Sequence, residues 1–411
     1  MINNKYVIFI EIAMVRDATG RLFCDPFWAK DLKLHLNYIA DLSICCPVIE
    51  LGINQDIKDV QKLISYNFDV LEEVTSYNFK LIKLNHCIGW WSVFKNLIPN
   101  FIRVIHACKG AEIIHSGGAG WPFPTSFYLL LLRPFYSYQW IMIIESTFFM
   151  LQKGEKFNLR KFLDHHLHMT LLPICAKLAD ARIFTHKHYK DMFLKSNERV
   201  LIANSTWLDS EHLLSENEAK KKLNNAKNHT LQLLFAGRLV ESKGVFVLFE
   251  AIYILSKNGT VAHIDIMGSG DLENQCREFA MKRHGSVTVS FKEPVPYGVP
   301  FFKNLSNYDA LLLPSLSEEQ PRIIYDAYGQ GLCIIASNTS GLTEVCIDGE
   351  NAIIFQRGEP QALADAIRHG VDNQSKLVQF GINGLSLAKT KTHQQVHIDR
   401  EDFLNRVLRI R

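Results

Sequence analysis

The sequence predicts an α/β protein of two domains, each a parallel β-sheet with helices on both faces. Two observations predict this fold class. Short runs rich in Val, Ile and Leu alternate with stretches of helical periodicity along the chain, which is typical of parallel strands covered on both faces. The length of 411 residues is too great for one ordinary core and fits two domains of about 200 residues each.

The apolar runs give the expected strands in order. In the first half of the chain they are 6–12, 43–49, 79–84, 112–115, 140–144, 182–185 and 199–203. In the second half they are 231–236, 262–267, 287–291, 310–314, 333–336 and 352–355. An amphipathic stripe of Trp28, Leu32, Leu36 and Ile39 follows the first strand, so a βαβ rhythm is expected from the start.

A polar segment at 210–230 separates the two strand-rich regions and marks the domain boundary. We therefore expect an N-terminal domain over 1–208, a C-terminal domain over 209–385 and a terminal helical segment over 386–411. Phe403, Leu404, Val407 and Leu408 lie at helical spacing in that last segment, which predicts an amphipathic helix.

Composition excludes several classes of protein. The formal net charge is only +3, which argues against a nucleic-acid-binding protein, since such proteins usually carry a dense basic stripe. Nine scattered cysteines without a C-x-x-C pair indicate reduced thiols and a cytoplasmic protein. The N-terminus lacks the pattern of a signal peptide. In the most apolar stretch, 127–150, Arg133 and Pro134 interrupt the run, so a buried helix and a central strand are expected instead of a membrane span.

The strongest motif is SLSEEQPRIIYDAYGQGLCIIAS at 315–337. A polar loop follows an apolar strand there and leads into a short helix, with Glu318 on the loop and Asp326 on the helix. Ligands of open α/β sheets bind beyond the carboxyl ends of strands, where this loop lies. Its N–H groups suit a phosphate and its carboxylates suit sugar hydroxyls. A helix-capping acid beside a solvated one explains the spacing equally well.

Two glycine turns follow other strands of the same half. LFAGRLVESKG at 234–244 places Gly237 before two cations, Arg238 and Lys243, which suit a diphosphate. IDIMGSGDLE at 264–273 has Gly268 and Gly270, but Glu273 takes the place of a third glycine, so the fingerprint of a dinucleotide site is incomplete. Each turn is weak evidence alone.

Taken together, these motifs resemble the donor domain of the retaining family-4 glycosyltransferases (glycosyl transferases group 1). The resemblance covers residues 231–368 and includes SGLTEVCIDGENAIIF. It implies the GT-B fold, in which two Rossmann-like domains face each other and a C-terminal helix crosses back to the N-terminal domain.

The resemblance also implies roles for matching residues. Arg238 and Lys243 would bind the donor diphosphate and stabilise the leaving group, and Glu318 would lie beside the donor sugar. Asp326 would hold the ribose hydroxyls, although Glu is usual there. The remaining implied donor residues are Gly237, Gly268, Gln320, Pro321 and Arg322; Gln320 stands where an apolar or aromatic residue is commoner, which bears on sugar specificity.

The N-terminal half resembles the family mainly in layout. The loop after its first strand lacks the usual paired glycines and keeps only Gly20. His115, Gly117 and Gly118 fit a loop at the acceptor cleft, and a structural histidine is the alternative for His115. Glu145 stands where many relatives carry a histidine, and is either a cleft residue or a satisfied buried acid.

The implied reaction transfers a hexosyl group from a nucleotide-sugar to the hydroxyl of a glycan or lipid-linked sugar, with retention of configuration. No cofactor or metal is expected, since the sequence has no Asp-x-Asp motif. The resemblance suggests bacterial polysaccharide or lipopolysaccharide biosynthesis. The basic segment 153–177 suits peripheral contact with an anionic membrane, or is a packed helix with a solvated side.

Two other functions fit parts of the pattern. A catalytically silent scaffold or carbohydrate-binding protein would keep the fold with a diverged first loop. A nucleotide-sugar 2-epimerase would share the architecture but need no acceptor. Arg238, Lys243 and Glu318 together favour the transferase over the silent scaffold.

Overall fold

The computed structural model describes residues 1–52, 71–87, 89–118, 120, 124–147, 149–151, 158–224, 229–317 and 320–409. They form two compact units. The first comprises Met1–Asn204 and His397–Arg411, and the second comprises Ser205–Val396. The first division thus follows Asn204 and the second precedes His397, where the sequence placed boundaries after residues 208 and 385.

The first unit contains ten strands and five helices that lie wholly within it, among the described residues. The strands are β1 (Ile2–Phe9), β2 (Met14–Arg16), β3 (Leu22–Cys24), β4 (Ile39–Glu50), β5 (Glu72–Glu73), β6 (Lys80–Asn85), β7 (Ile113–Gly117), β8 (Gln139–Ile144), β9 (Ala181–Phe184) and β10 (Val200–Ile202). The helices are α1 (Pro26–Leu36), α2 (Gly89–Cys108), α3 (Thr125–Leu132), α4 (Leu159–Leu178) and α5 (Lys187–Phe193).

The main part of this sheet is parallel and follows the order β6-β4-β1-β7-β8-β9-β10. The three short strands β2, β3 and β5 extend it from β4, and β2 and β3 form an antiparallel pair. Sequence reasoning missed this hairpin because strands of two or three residues show no periodicity. Gly20, with φ 89°, lies between β2 and β3. The region that lacks paired glycines is therefore an inserted hairpin.

The most apolar stretch of the sequence forms α3 and the central strand β8, as predicted. β8 lies between β7 and β9, and its Trp140 and Ile141 are fully buried. Across the described ranges, no helix combines the length and hydropathy that crossing a membrane requires.

The second unit contains six strands and eight helices that lie wholly within it, among the described residues. The strands are β11 (Leu231–Ala236), β12 (Ala262–Met267), β13 (Val287–Lys292), β14 (Ala310–Leu313), β15 (Cys333–Ser337) and β16 (Ala352–Phe355). The helices are α6 (Glu216–Asn224), α7 (Val245–Lys257), α8 (Glu273–Ala280), α9 (Val299–Leu305), α10 (Ile323–Gly329), α11 (Ser340–Thr343), α12 (Pro360–Asp372) and α13 (Gln374–Lys389).

All strand pairs of this second sheet are parallel, in the order β13-β12-β11-β14-β15-β16. This is the doubly wound order, which confirms the predicted fold class. Neighbouring residues of β11 pack into different cores: Leu233 belongs to the core beneath α7, and Leu234 to the core beneath α10. Burial of both faces explains why these strands read as unbroken apolar runs.

The last helix, α14 (His393–Val407), starts in the second unit and ends in the first. The N–H of His393 donates to the carbonyl oxygen of Leu208 over 2.8 Å. Phe403, Leu404 and Leu408 are buried, as the helical spacing of the apolar residues predicts.

Candidate functional site

A pocket of about 190 Å³ opens at the carboxyl ends of β11 and β14 in the second unit. These strands are neighbours in the sheet but not in the chain, and the helices that follow them, α7 and α10, pack into different cores. Ligands of open α/β sheets bind at such a switch point. The pocket is lined by Phe235, Ala236, Gly237, Lys243, Leu313, Ser315, Pro321, Arg322 and Ile323.

Glycines let the loops around this pocket pack backbone against backbone. Gly268 has a φ of 152°, and a Cβ there would lie 1.9 Å from the carbonyl oxygen of Gly237. Gly244 has a φ of 77°, and its Cβ would lie 1.8 Å from the carbonyl oxygen of Pro314. No side chain fits either gap, so both positions require glycine. Gly237 therefore lines the pocket, whereas Gly268 supports it from the next loop.

Hydrogen bonds connect the same loops. The N–H of Leu316 donates to the carbonyl oxygen of Ser242 over 2.8 Å. Ser337, at the end of β15, donates through Oγ to the carbonyl oxygen of Ser315 over 2.6 Å. Because these bonds join the loops after β11, β14 and β15, the polar groups of the pocket wall are held in fixed positions.

The two predicted diphosphate cations occupy different positions. Lys243 ends a 3₁₀ turn, Glu241–Lys243, and lines the pocket. It lies just before α7, whose first N–H groups have no partner within the helix and carry partial positive charge. Arg238 follows Gly237 and is exposed; it is not among the lining residues. The structure thus brings Lys243, but not Arg238, to the pocket wall.

The loop before α10 contributes Pro321 and Arg322 to the wall. Nε of Arg322 donates to Oγ of Ser205 over 2.7 Å, and its guanidinium carbon lies 5.0 Å from the ring centroid of Trp207. This cation–π contact and hydrogen bond orient Arg322 from within the second unit. The predicted acid Glu318 lies outside the described residues.

Gln320 is bound to the protein at both ends of its amide. Its Nε2 donates to the carbonyl oxygen of Gly341 over 3.2 Å, and its Oε1 accepts from the hydroxyl of Tyr325 over 3.2 Å. Because both ends of its amide are hydrogen-bonded within the protein, Gln320 holds the backbone of the loop before α10 in position. Its predicted effect on sugar specificity would therefore be indirect.

Asp326 is buried on α10, and its Oδ1 accepts a hydrogen bond from the hydroxyl of Tyr297 over 2.9 Å. Burial, and then the charge of this carboxylate, raise the pKa of Tyr297 far above its ordinary value, so the hydroxyl stays protonated and donates. Asp326 is not among the residues that line the pocket. Its contact with a ribose stays a prediction.

In the first unit, His115 is buried on β7, which corrects its assignment to an acceptor site. Its Nδ1 lies 3.3 Å from the hydroxyl of Tyr6, and its ring centroid lies 6.1 Å from that of His35. Burial, and next the charge of Arg400, hold the pKa of His115 well below its ordinary value. A neutral ring so enclosed offers almost no surface to a ligand. His115 is a core histidine.

The other predicted acceptor residues lie at the carboxyl ends of β7 and β8. Gly117 ends β7, and the N–H of Gly118 donates to the carbonyl oxygen of Ile143 over 2.7 Å. Glu145 directly follows β8 and is exposed, which excludes the alternative of a buried acid. Contact of these residues with an acceptor stays a prediction.

Sequence reasoning missed Glu11, which follows β1 at the same edge of the first sheet. Its Oε1 accepts from the N–H of Thr125, at the start of α3, over 3.1 Å. A Cβ on Gly120 would lie 1.3 Å from its Oε2, so Gly120 makes room for the carboxylate. An acid at the carboxyl end of a first parallel strand was the signal available for this residue.

Comparison with known proteins associates the second unit with a family. Residues 216–386 match the family Glycosyl transferases group 1. The capsular polysaccharide biosynthesis glycosyltransferase CapM of Staphylococcus aureus is 22% identical over 185 residues, covering 44% of this chain and 48% of that protein. The amylovoran biosynthesis glycosyltransferase AmsK of Erwinia amylovora is 27% identical over 181 residues, covering 43% of this chain and 44% of that protein. The chain thus spans about half the length of these relatives.

Solved structures match nearly the whole chain. Sucrose-phosphate synthase from Thermosynechococcus elongatus superposes with a TM-score of 0.67 at 16% identity, covering 98% of each chain. HepE of Anabaena in complex with UDP superposes with a TM-score of 0.62 at 12% identity, covering 98% of this chain and 100% of that one. WaaG, a glycosyltransferase involved in lipopolysaccharide biosynthesis, superposes with a TM-score of 0.57 at 11% identity, covering 97% of this chain and 98% of that one. At these identities the likeness shows the fold, two α/β units of the GT-B class.

Proposed function

We propose that this chain is a glycosyltransferase that binds a nucleotide-sugar donor in the pocket at the ends of β11 and β14. The observation that carries the proposal is the position of Lys243 in a glycine-packed pocket at the switch point of a doubly wound sheet. The family match over 216–386 includes every residue of this pocket. HepE, one of the structural neighbours, was solved with UDP.

In this proposal Lys243 neutralises the donor diphosphate. Cleavage of the bond between the anomeric carbon and the diphosphate leaves negative charge on the departing nucleotide. Lys243 and the start of α7 lie where that charge develops and so stabilise the transition state. Arg238, one loop position from the pocket wall, would turn towards the diphosphate when the donor binds. These cations would replace a metal ion, so we propose a metal-independent reaction.

The remaining donor contacts follow the resemblance. Backbone N–H groups of 320–322 would face the sugar or phosphate, since the hydrogen bonds of Gln320 and Arg322 fix this loop. Asp326 would accept from the ribose hydroxyls, and the bond from Tyr297 holds its carboxylate in place. The acceptor hydroxyl would attack on the face that the diphosphate leaves, so the configuration is retained.

The acceptor is proposed to be a glycan or a lipid-linked sugar in polysaccharide or lipopolysaccharide biosynthesis. The names of CapM, AmsK and WaaG, which describe proteins of capsule, amylovoran and lipopolysaccharide biosynthesis, support this proposal. A lipid-linked acceptor would lie in a membrane, so we propose a cytoplasmic protein that associates with the inner face of that membrane.

Thermal unfolding with a panel of UDP-, GDP- and ADP-sugars tests the donor site. We expect one nucleotide to raise the unfolding temperature, because a ligand at 100 times its Kd stabilises the native state by about 2.7 kcal/mol. Lys243→Ala should weaken this binding about tenfold or more, the usual cost of losing a charged hydrogen-bond partner.

Lys257→Ala is the matched control, because Lys257 is an exposed lysine at the opposite end of α7. It should respond to the donor like the natural chain. If no nucleotide-sugar stabilises the natural chain, the silent scaffold becomes the better interpretation. An equal loss in both lysine variants would exclude the assigned role of Lys243.

A further inference from the structure

Helix α2 exposes a continuous apolar stripe in the first unit. Trp91, Phe94, Ile98 and Ile102 are spaced by three and four residues and so lie on one face of the helix. Their exposed fractions are 84%, 64%, 70% and 47%. Single exposed apolar residues are ordinary, but four large ones in line mark an interaction surface.

The opposite face of α2 is already used by the fold. Val93, Val104 and Cys108 are buried in the first unit. Arg103 donates through Nη1 to Oδ1 of Asn85, at the end of β6, over 2.5 Å. Because these contacts fix the orientation of the helix, the exposed stripe stays directed outward.

The charged side chains of α2 and of the turn that follows it have one sign. Residues 89–109 contain no Asp or Glu. Lys95 is exposed within the stripe, and His106 and Lys109 are exposed at the C-terminal end of the helix. A second copy of this face would bring like charges together, whereas an anionic surface would attract them.

We propose that α2 docks this chain on an anionic lipid surface. The apolar side chains enter the boundary between headgroups and acyl chains, with the indole of Trp91 at the headgroup level. Lys95 and Lys109 contact lipid phosphates. This inference names the surface for the proposed membrane association but does not need the donor site, so its success or failure is independent of nucleotide binding.

The sequence pointed to a different surface, the basic segment 153–177. The described part of that segment belongs to α4, where Phe162, Leu163 and Ile174 are exposed, but the polar residues His166 and Thr170 interrupt this row on the exposed side. No polar residue separates the apolar side chains of the α2 stripe in this way. We therefore assign docking to α2.

Cosedimentation of the full chain with lipid vesicles tests this assignment. The natural chain should bind vesicles that contain phosphatidylglycerol, bind vesicles of phosphatidylcholine alone far less, and lose binding at high salt. The variant Phe94→Ser/Ile98→Ser should lose about tenfold or more of its partitioning, since two large apolar side chains no longer insert. Met281→Ser, which removes an apolar side chain with 84% exposure from the second unit, should bind normally.

Three results with vesicles would overturn the assignment, as would the light-scattering result below: no binding of the natural chain to anionic vesicles, unchanged binding of Phe94→Ser/Ile98→Ser, or loss of binding in Phe162→Ser/Leu163→Ser instead. Light scattering of the natural chain and of Phe94→Ser/Ile98→Ser tests whether a second copy of the chain covers the stripe instead of a lipid surface. A dimer that dissociates in Phe94→Ser/Ile98→Ser would show that the stripe is a protein interface. Thermal unfolding of the same variants without a ligand reports that they are folded.

Discussion

Replacing Gly244 by alanine is expected to destabilise the second unit by more than about 2 kcal/mol and to abolish donor binding. The φ of 77° strains any residue with a Cβ, and that Cβ would lie 1.8 Å from the carbonyl oxygen of Pro314. The overlap is with backbone, so the loops after β11 and β14 must separate. Lys243 precedes Gly244 and would move with it.

Gly259→Ala provides the matched control for this prediction. Gly259 has a similar φ of 69°, but apart from its chain neighbours no atom of the described residues lies within 4 Å of the position its Cβ would take. The variant should therefore lose only the cost of the left-handed conformation, about 1–2 kcal/mol, and respond normally to the donor. Thermal unfolding with and without nucleotide-sugar measures both effects. Equal losses in the two variants would contradict the close loop packing.

Acidification from pH 7 to pH 5 is expected to weaken the attachment of α14 to the first unit by about 2 kcal/mol. Burial lowers the pKa of His397 to about 3. The unfolded chain takes up a proton below about pH 6.5, whereas the folded His397 does not, so stability is complete above that pH and falls as the pH drops towards 3. The lowered pKa of His115 acts in the same direction.

Burial keeps His397 neutral, and the charge of Arg400 acts in the same direction, against the carboxylate of Asp31. Arg400 can only donate, so its bond of 3.0 Å to Nε2 of His35 places the proton of that ring on Nδ1, which lies 3.1 Å from Oδ2 of Asp31. Nε2 of His397 lies 2.9 Å from Oδ1 of the same Asp31, and the hydroxyl of Tyr38 lies 3.4 Å from its Nδ1.

The side chains of Asp31, His35 and His397 also lie close enough together to hold a metal ion. The proton positions favour the hydrogen-bonded network instead, because a metal on Nδ1 of His35 would require a proton on Nε2, where Arg400 donates.

Urea unfolding at pH 7, 6 and 5 measures this effect in the natural chain and in His397→Gln. Glutamine does not titrate, so the variant should lose less stability than the natural chain over this range, by about 2 kcal/mol. The carboxylates titrate in both proteins and cancel in the comparison. Parallel stability curves would contradict the assignment of the effect to His397.

The fold could be predicted from the sequence because burial on both faces leaves a strong local signal. Leu233 and Leu234 of β11 enter different cores, so the strand reads as a continuous apolar run. The hairpin of β2 and β3 was missed because three-residue strands leave no such signal.

The site could be predicted only where the chemistry is local. Lys243 stands beside its glycine turn in the sequence, whereas the partners of Arg322 and Asp326 are distant in the chain and depend on the tertiary fold. His115 matched a motif, yet α1 and α14 bury it with residues that no local pattern connects.

Calorimetric titration with a nucleoside diphosphate and with the matching free nucleoside tests the central claim most directly, namely that the pocket at β11 and β14 holds a diphosphate. The base is the one that the donor panel identifies. We predict that the diphosphate binds at least about tenfold more tightly than the nucleoside, and that Lys243→Ala removes most of this difference while Lys257→Ala preserves it. Equal affinities for diphosphate and nucleoside, or a difference that survives in Lys243→Ala, would contradict the account.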